Sequence, residues 1–595
     1  MITFCFFLSS AILIGSVFLS LYIKGSHRVS KGFQPANILL VGVFISAVFL
    51  FLPIYAEMFP SNFGGGIQTL AVSFHHVLRL FVLDGEFEFI SDYVKKLSGW
   101  LSYSFPLLAA ALYVLAPMLT FRFILSFFKS LAAFRGYLFQ YRRDGYIFSD
   151  LNERSLALAR DLRKNHPKSM IVFTDVFEGQ DDQSFELQKQ ARDIRAICFR
   201  EEIGTIDFTR HSKKASLFFF LLSQNGHENI TQSLSLIEKY RDRDNTRVYT
   251  FSTNVESELL VRQPKGARIK VHRVNQVRTL ILRMLYDRGQ FLFEDALPDN
   301  NGVKTISVAI VGLGKHGTEM LRTLPWLCQM NGYRLVIHAF GSDPLAESKF
   351  RKLCPELMAP DKNGVHIDGE AEYEIHIHSG ISIETTEFSE ILRQVPPLTY
   401  VFISLGNDDN NIETAVSLRI LSEQLGIHPR IQSVVYSTQK CRALNGVTNF
   451  KGQPYRIEFL GDMESEYAEK VVLHSAMEQD ALLRHMKWGA EEDFWRYEYN
   501  YRSSIATAIH MRMREACHMP GAGKTEDQLT DDERAALELL EHKRWNAYMR
   551  CDGYIYSGSL DSSSRNDLGK MHQNLVPFAL LNEDDKRKDS RVGSK

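Results

Sequence analysis

The sequence is poor in three things. Cysteine is sparse and scattered: seven residues, at positions 5, 198, 328, 354, 441, 517 and 551, with no CxxC pair and no Cys/His ligand spacing. That argues against a disulfide framework and against a zinc site, and it suits a reducing compartment for most of the chain. An excess of one charge is missing too. The 69 Lys and Arg balance 70 Asp and Glu, for a net charge of −1, so nothing favours a polyanionic partner such as nucleic acid. Charge of either sign is absent from residues 1–23, 32–56 and 97–121. Each run is long enough to cross ~30 Å of hydrocarbon as a helix. The first has no basic n-region and no small-residue cleavage site, so it reads as a retained span rather than a signal peptide.

Three spans, at about 2–23, 36–56 and 98–121, therefore make up a membrane domain over residues 1–143. Lys and Arg set its orientation. The loop after the first span holds Lys24, Arg28 and Lys31 and no acid. The loop after the second holds Glu57, Asp84, Glu86, Glu88 and Asp92 against Arg79, Lys95 and Lys96. After the third come Arg122, Lys129, Arg135, Arg142 and Arg143. All three agree on an N-terminus outside and a cytoplasmic C-terminal bulk. Between spans two and three, Gly64, Gly65 and Gly66 precede an apolar stretch at 67–83 that carries His75, His76 and Arg79. It fits a re-entrant helix, as in a pore loop, or an amphipathic helix on the outer surface. No TVGYG-like filter occurs, so potassium selectivity has no support. The spans hold almost no ionisable residue, so no proton relay is visible.

The clearest signal lies at 304–343. A β-branched run at 306–311 leads into Gly312-Leu313-Gly314-Lys315-His316-Gly317, then a helical pattern, then a second strand ending near Asp343. This is the grammar of the first β–α–β unit of a dinucleotide-binding fold. Gly312 permits the tight turn, Gly314 lets backbone approach a pyrophosphate, and Gly317 lets helix pack on strand. Lys315 and His316 sit on the turn, the helix start offers N–H groups to an anion, and Asp343 stands where an acid bonds a ribose hydroxyl. The alternative is a regulatory domain that keeps the turn and binds nothing. Later strands are expected at 374–378, 400–404 and 431–436. Gly406, Asn407 and Asp408 follow the fourth strand and share the same rim, unless the acids cap the next helix. This unit spans 304–475, after a linker at 299–302.

Residues 144–296 repeat the alternation, with strands expected at 146–149, 169–174, 196–199, 216–222, 247–251 and 269–274. Here the glycines are missing: Asp150, Asn152 and Ser155 fill the three positions. Asn152 crowds the close-approach point and Asp150 repels phosphate, so this unit reads as degenerate and mainly structural. Two Rossmann-like units behind membrane helices resemble the RCK or Trk-type regulatory domains of ion channels and transporters, over roughly 145–475.

Residues 476–530 read as a helical connector. The aromatic and basic cluster at 494–510 reads as a helix packing on the preceding lobe rather than as a binding box. In 531–590, Glu541-His542-Lys543-Arg544-Trp545, a Gly553-Tyr554 turn, and His572 through Phe578 resemble the ryanodine-receptor repeat domain, which also occurs in bacterial proteins. The resemblance implies a small module for a ligand or a protein, with adenine nucleotides as one ligand class. Glu541, Arg544, Trp545 and His572 are its candidate second site: Trp545 to stack, Arg544 to meet a phosphate. Alternatively, Trp545 is core and Arg544 pairs with Glu541 or Asp567. The tail from 584 to 595 is charged and reads as disordered.

The fold class expected is thus a three-span α-helical membrane domain plus α/β: two tandem doubly wound sheets and a small, mainly helical C-terminal module. The expected function is a ligand-gated membrane protein of the bacterial inner membrane, an oligomeric ion channel (dimer or tetramer) controlled by NAD or another adenine nucleotide, with the signal relayed through 122–145. Alternatives are a nucleotide-activated effector that disrupts the bilayer, as in antiviral defence, and a membrane-anchored NAD-dependent oxidoreductase. No catalytic constellation or metal site is read from the sequence, so the chain is not expected to be an enzyme. Partners are lipid, a nucleotide and further copies of the chain.

Overall fold

The computed structural model describes residues 1–25, 35–82, 84, 87–176, 182–254, 256–358, 373–449, 451–558 and 565–586. Arg28, Lys31, Glu86, residue 83 of the apolar stretch and tail residues 587–595 lie outside the described residues. Arg122 and Lys129 fall where only backbone is described. The chain divides into two units, Met1–Gly136 and Tyr137–Lys595.

The first unit holds α1 (Ile2–Gly25), α2 (Pro35–Ala56), α3 (Phe63–Phe81), α4 (Phe87–Val94) and most of α5 (Leu101–Gln140). Three windows are long and apolar enough to cross a membrane: Ile2–Tyr22, Ile38–Ala56 and Leu101–Phe121. α1 and α2 meet through small residues. The Ser9 hydroxyl donates to Ser46 O at 2.8 Å and the Ser46 hydroxyl returns the bond to Ser9 O at 3.0 Å. Such pairing lets two apolar helices approach closely while every polar atom keeps a partner. The three glycines form the first turn of α3, where Asn62 is the cap and accepts from Gly65 N at 2.7 Å. α3 turns Thr69, Ser73 and His76 inward and leaves Ile67, Leu70, Phe74 and Leu78 exposed. His76 Nε2 lies 3.2 Å from the Tyr113 hydroxyl.

The second unit contains two parallel sheets of Rossmann-like type. Strands β1 (Gly145–Phe148), β2 (Met170–Phe173), β3 (Ile197–Cys198), β4 (Leu217–Leu221), β5 (Thr246–Phe251) and β6 (Lys270–Val274) line up as β3-β2-β1-β4-β5-β6. Strands β7 (Lys304–Val311), β8 (Tyr333–Gly341), β9 (Tyr373–Ser379), β10 (Tyr400–Ile403), β11 (Arg430–Val434) and β12 (Ile457–Leu460) repeat that order as β9-β8-β7-β10-β11-β12. The last strand, β12, has no counterpart in the sequence expectation. Continuous apolar runs such as MIVF and YVFI make these strands because both faces are covered. An aromatic row crosses the first sheet: Phe148 on Phe220 at 4.9 Å, Phe220 on Tyr249 at 5.1 Å, Tyr249 on His272 at 4.7 Å. Such cross-strand pairs stabilise sheet register.

The C-terminal segments do not stand apart. A long helix near the C-terminus spans Asp531–Cys551. Its Tyr548, Ala547 and Met549 share one apolar core with Met320, Leu324 and Trp326 of the second Rossmann-like half and with Ile505 and Ile509 of the connector. Three two-residue strands, β13 (Ile555–Tyr556), β14 (Arg565–Asn566) and β15 (Met571–His572), complete it.

Candidate functional site

The six helices that build the site are α6 (Glu153–Asn165), α7 (Gly226–Lys239), α8 (Gln276–Arg288), α9 (Lys315–Leu327), α10 (Asp408–Gln424) and α11 (Ala476–His485). α12 is Glu498–Ala516. The carboxyl ends of both sheets open onto one cavity of about 1430 Å³. In open α/β sheets ligands bind at that edge, where strand order reverses. From the second sheet come Gly312, Gly314, Lys315, His316, Asp343 and Gly406. From the first come Arg154, the run 223–227, Thr253 and Asn254. Glu466 and Glu478, from the segment after β12, form part of the wall.

The glycine turn has the predicted geometry. Gly312 has φ +94°, and a Cβ there would lie 2.2 Å from Ser404 O. At Gly317 a Cβ would lie 1.8 Å from Gly312 O, so this residue packs helix on turn and is absent from the cavity wall. At Gly314 an added Cβ meets nothing within 4 Å. Gly314 is the N-cap of α9 and makes no side-chain cap, whereas Asn152, Asn225, Asn275 and Asn407 cap α6, α7, α8 and α10. Among these helices, α9 alone presents its first N–H groups to the cavity without a side-chain acceptor, the arrangement that receives an anion.

Lys315 Nζ donates to Thr253 Oγ1 across the cavity at 2.9 Å. His316 is uncharged at neutral pH, since burial, with Lys315 beside it, pushes its imidazole down to about 4. Its ring lies edge-on to Tyr436 at 6.1 Å. Asp343 reaches the wall already engaged: Oδ1 accepts from Leu345 N at 2.9 Å and Oδ2 meets Lys349 at 2.5 Å, which holds its carboxyl below the usual range. Glu478 accepts from the Tyr501 hydroxyl at 2.5 Å, and burial raises its carboxyl to about 7.

Two rim assignments need correction. Asn407 turns its side chain to Asp409 N and Asn410 N, at 2.8 and 3.2 Å, and is spent as a cap. Asp408 accepts from Tyr436 N at 2.9 Å and Ser437 N at 3.0 Å, tying the loop after β11. Neither lines the cavity. The first half is more than the structural lobe expected of it, since it supplies much of the wall. Its own turn is closed: Asn152 Nδ2 donates to Leu222 O at 2.8 Å, while Asn152 Oδ1 accepts from Ser155 N at 3.0 Å. The sequence held a signal for its contribution. Short polar runs, Ser223-Gln224-Asn225-Gly226 and Ser252-Thr253-Asn254, directly follow two of its strands.

The second candidate site is also corrected. Glu541 and Arg544 are each only 1% exposed. Arg544 Nη2 donates to Glu541 Oε1 at 2.6 Å, and Arg514 pairs with Glu541 Oε2. Arg514 Nε donates to His510 Nδ1 at 2.9 Å, and His510 Nε2 donates to Gln329 O at 2.9 Å. That pattern fixes His510 as the neutral imidazole. Arg544 therefore has no route to a phosphate in this conformation. Trp545 packs half-buried against the core, edge-on to His572 at 4.8 Å, and His572 Nδ1 accepts from Asn574 N at 3.1 Å. Asp567 accepts from the Tyr554 hydroxyl, not from Arg544.

A buried ionic lattice adjoins the cavity. Arg278 pairs with Glu319 at 3.0 Å, Glu258 at 3.3 Å and Glu498 at 3.5 Å. Arg322 pairs with Asp552 at 3.1 Å, and Arg502 also pairs with Asp552. Arg273 both lines the cavity and bonds Glu498 at 2.7 Å. Both Rossmann-like halves, the connector and the C-terminal segment are thus joined by charge. Among the described residues, no group of three or more His, Cys, Asp or Glu is placed to hold a metal ion.

No family model matches the chain, and no curated protein does. A dipicolinate synthase chain from Bacillus halodurans is similar at 11% identity, with 56% of this chain and 92% of that chain covered and a TM-score of 0.19. A likeness of that size carries no argument.

Proposed function

We propose that the chain is a ligand-gated membrane protein of the bacterial inner membrane, an oligomeric channel whose cytoplasmic Rossmann-like halves sense a nucleotide. The observation that carries this reading is the cavity at the carboxyl ends of both sheets, with the open turn at Gly314 on its wall, in a chain that also holds three apolar helices. An N-terminus outside and sheets inside follow from the Lys and Arg bias of the loops. Three helices enclose little pore alone, so symmetric assembly of several copies is part of the proposal. A gating ligand has to bind one state better than the other, and about 1–3 kcal/mol of coupling suffices for a measurable shift. Within the sheet-bearing unit, the ionic lattice beside the cavity ties the two halves, the connector and the C-terminal segment to it, because Arg273 belongs to both.

The test is ion flux from liposomes holding the purified chain, with NAD, ATP or AMP added on the side of the sheets. Ion flux without release of a large trapped dye supports the channel. Dye release indicates bilayer disruption, and NADH turnover without flux indicates an oxidoreductase.

A further inference from the structure

The degenerate first half carries a cation that the fold leaves unused. Arg154 stands in the first turn of α6 and lines the cavity. Its charge acts on Tyr436 and Tyr467, both of the second half, so it lies where the two halves face each other. Among the described residues neither Arg154 nor Lys315 forms an ion pair, whereas the cavity's other arginine, Arg273, is bonded to Glu498. Two unpaired cations, one from each half, thus share a wall with the uncapped start of α9. The acids on that wall do not answer them. Glu466 pairs with Arg283, Asp343 with Lys349, and Glu478 accepts from the Tyr501 hydroxyl, while Glu384 and Glu413 are exposed. Beyond the cations, the first half adds polar side chains suited to a base or ribose: Gln224, His227 and Asn254. The cavity, at about 1430 Å³, exceeds the roughly 300–1,000 Å³ of common small-molecule sites.

We propose that Arg154 and Lys315 clamp the phosphates of a linear dinucleotide from opposite sides, with one nucleoside on each half, so that the half lacking the glycines supplies half of the site. This rests on the nucleotide-sensing reading above and names its ligand class and a residue that decides it. A mononucleotide reaches the α9 start and Lys315 alone. A dinucleotide bridges both halves and draws Lys315 from Thr253 to phosphate.

The test is calorimetric titration of the full chain in detergent with NAD⁺, diadenosine diphosphate and AMP, for wild type and Arg154→Gln. Arg154 holds no ion pair, so the melting temperature of Arg154→Gln should match wild type. The expected result is that wild type binds at least one dinucleotide about tenfold or more tighter than AMP, and that Arg154→Gln erases this advantage while AMP affinity stays within about twofold. Arg154→Lys should recover part of it. If Arg154→Gln binds dinucleotides like wild type, or wild type binds AMP equally well, the two-half site is overturned and nucleotide sensing stands. If wild type binds none of the three, both fail.

Discussion

The two Rossmann-like halves share one strand order but build their first turns oppositely. In the second half Gly312, Gly314 and Gly317 hold a tight turn whose helix start faces an open cavity. In the first half Asp150, Asn152 and Ser155 occupy the matching positions, and Asn152 spends its side chain on Leu222 O and Ser155 N. One turn satisfies an N–H group with its own side chain, and the other leaves its helix start without a side-chain acceptor. The difference shows that one strand order accommodates either turn. The closed turn gives up a phosphate loop, yet the neighbouring α6 residue Arg154 still reaches the shared cavity.

Exchanging the turn residues breaks this comparison most severely at Gly317. Gly317→Ser, which imports the first half's residue, forces a Cβ onto the Gly312 carbonyl, with 1.8 Å available. It should cost about 3 kcal/mol or more, seen as a lowered midpoint of chemical unfolding of the full chain. Ser155→Gly in the first half loses only a cap partner and should cost far less.

Glu478 of the cavity wall sharpens the comparison through pH. Glu478 has a folded value of about 7, above its unfolded one, so the folded state holds the extra proton between the two. Stability is therefore greatest at acid pH and falls as pH climbs from the ordinary carboxylate range to about 7, by roughly 3 kcal/mol at most. Glu478→Gln should flatten that slope, read from melting temperature against pH, and should be more stable than wild type at pH 8.

At the close-approach position the effect moves from stability to binding. Gly314→Asn places the first half's cap residue where added atoms meet nothing. Asn is a good N-cap, so the fold should be unharmed or gain up to about 1 kcal/mol. Nucleotide affinity should fall about a hundredfold, because the side chain takes the pyrophosphate's place. The smallest effect is the reverse one. Asn152→Ala removes a cap and its bond to Leu222 O, should cost about 1 kcal/mol, and should leave nucleotide affinity within about twofold.

Much of the fold was legible because its signals are local. Charge-free runs mark the membrane helices, apolar runs mark strands covered on both faces, and Gly312 through Gly317 mark one turn. What escaped depends on distant segments meeting. The Arg544–Glu541 pairing was open in the sequence as one of two readings, but nothing near Arg544 says that Arg514 also lies beside Glu541, which is what buries both ends of that pair. Asp408 looked like a rim acid because its acceptors' partners, Tyr436 N and Ser437 N, come from the following strand–helix unit. Glycine is a poor helix former, so the place of Gly64, Gly65 and Gly66 in the first turn of α3 is not legible from propensity. Asn62 and the packing of α3 override that preference. Arg154 is not legible as a cavity residue because its turn lacks the glycines that mark a phosphate loop.

The central claim is that the open turn, and not its closed counterpart, couples a nucleotide to the membrane helices. The most direct measurement is nucleotide-triggered ion flux from liposomes holding wild type, Gly314→Asn or Asn152→Ala. The account predicts flux from wild type and Asn152→Ala, and none from Gly314→Asn at the same nucleotide concentration. Equal flux from Gly314→Asn and wild type, or loss of flux in Asn152→Ala alone, would contradict it.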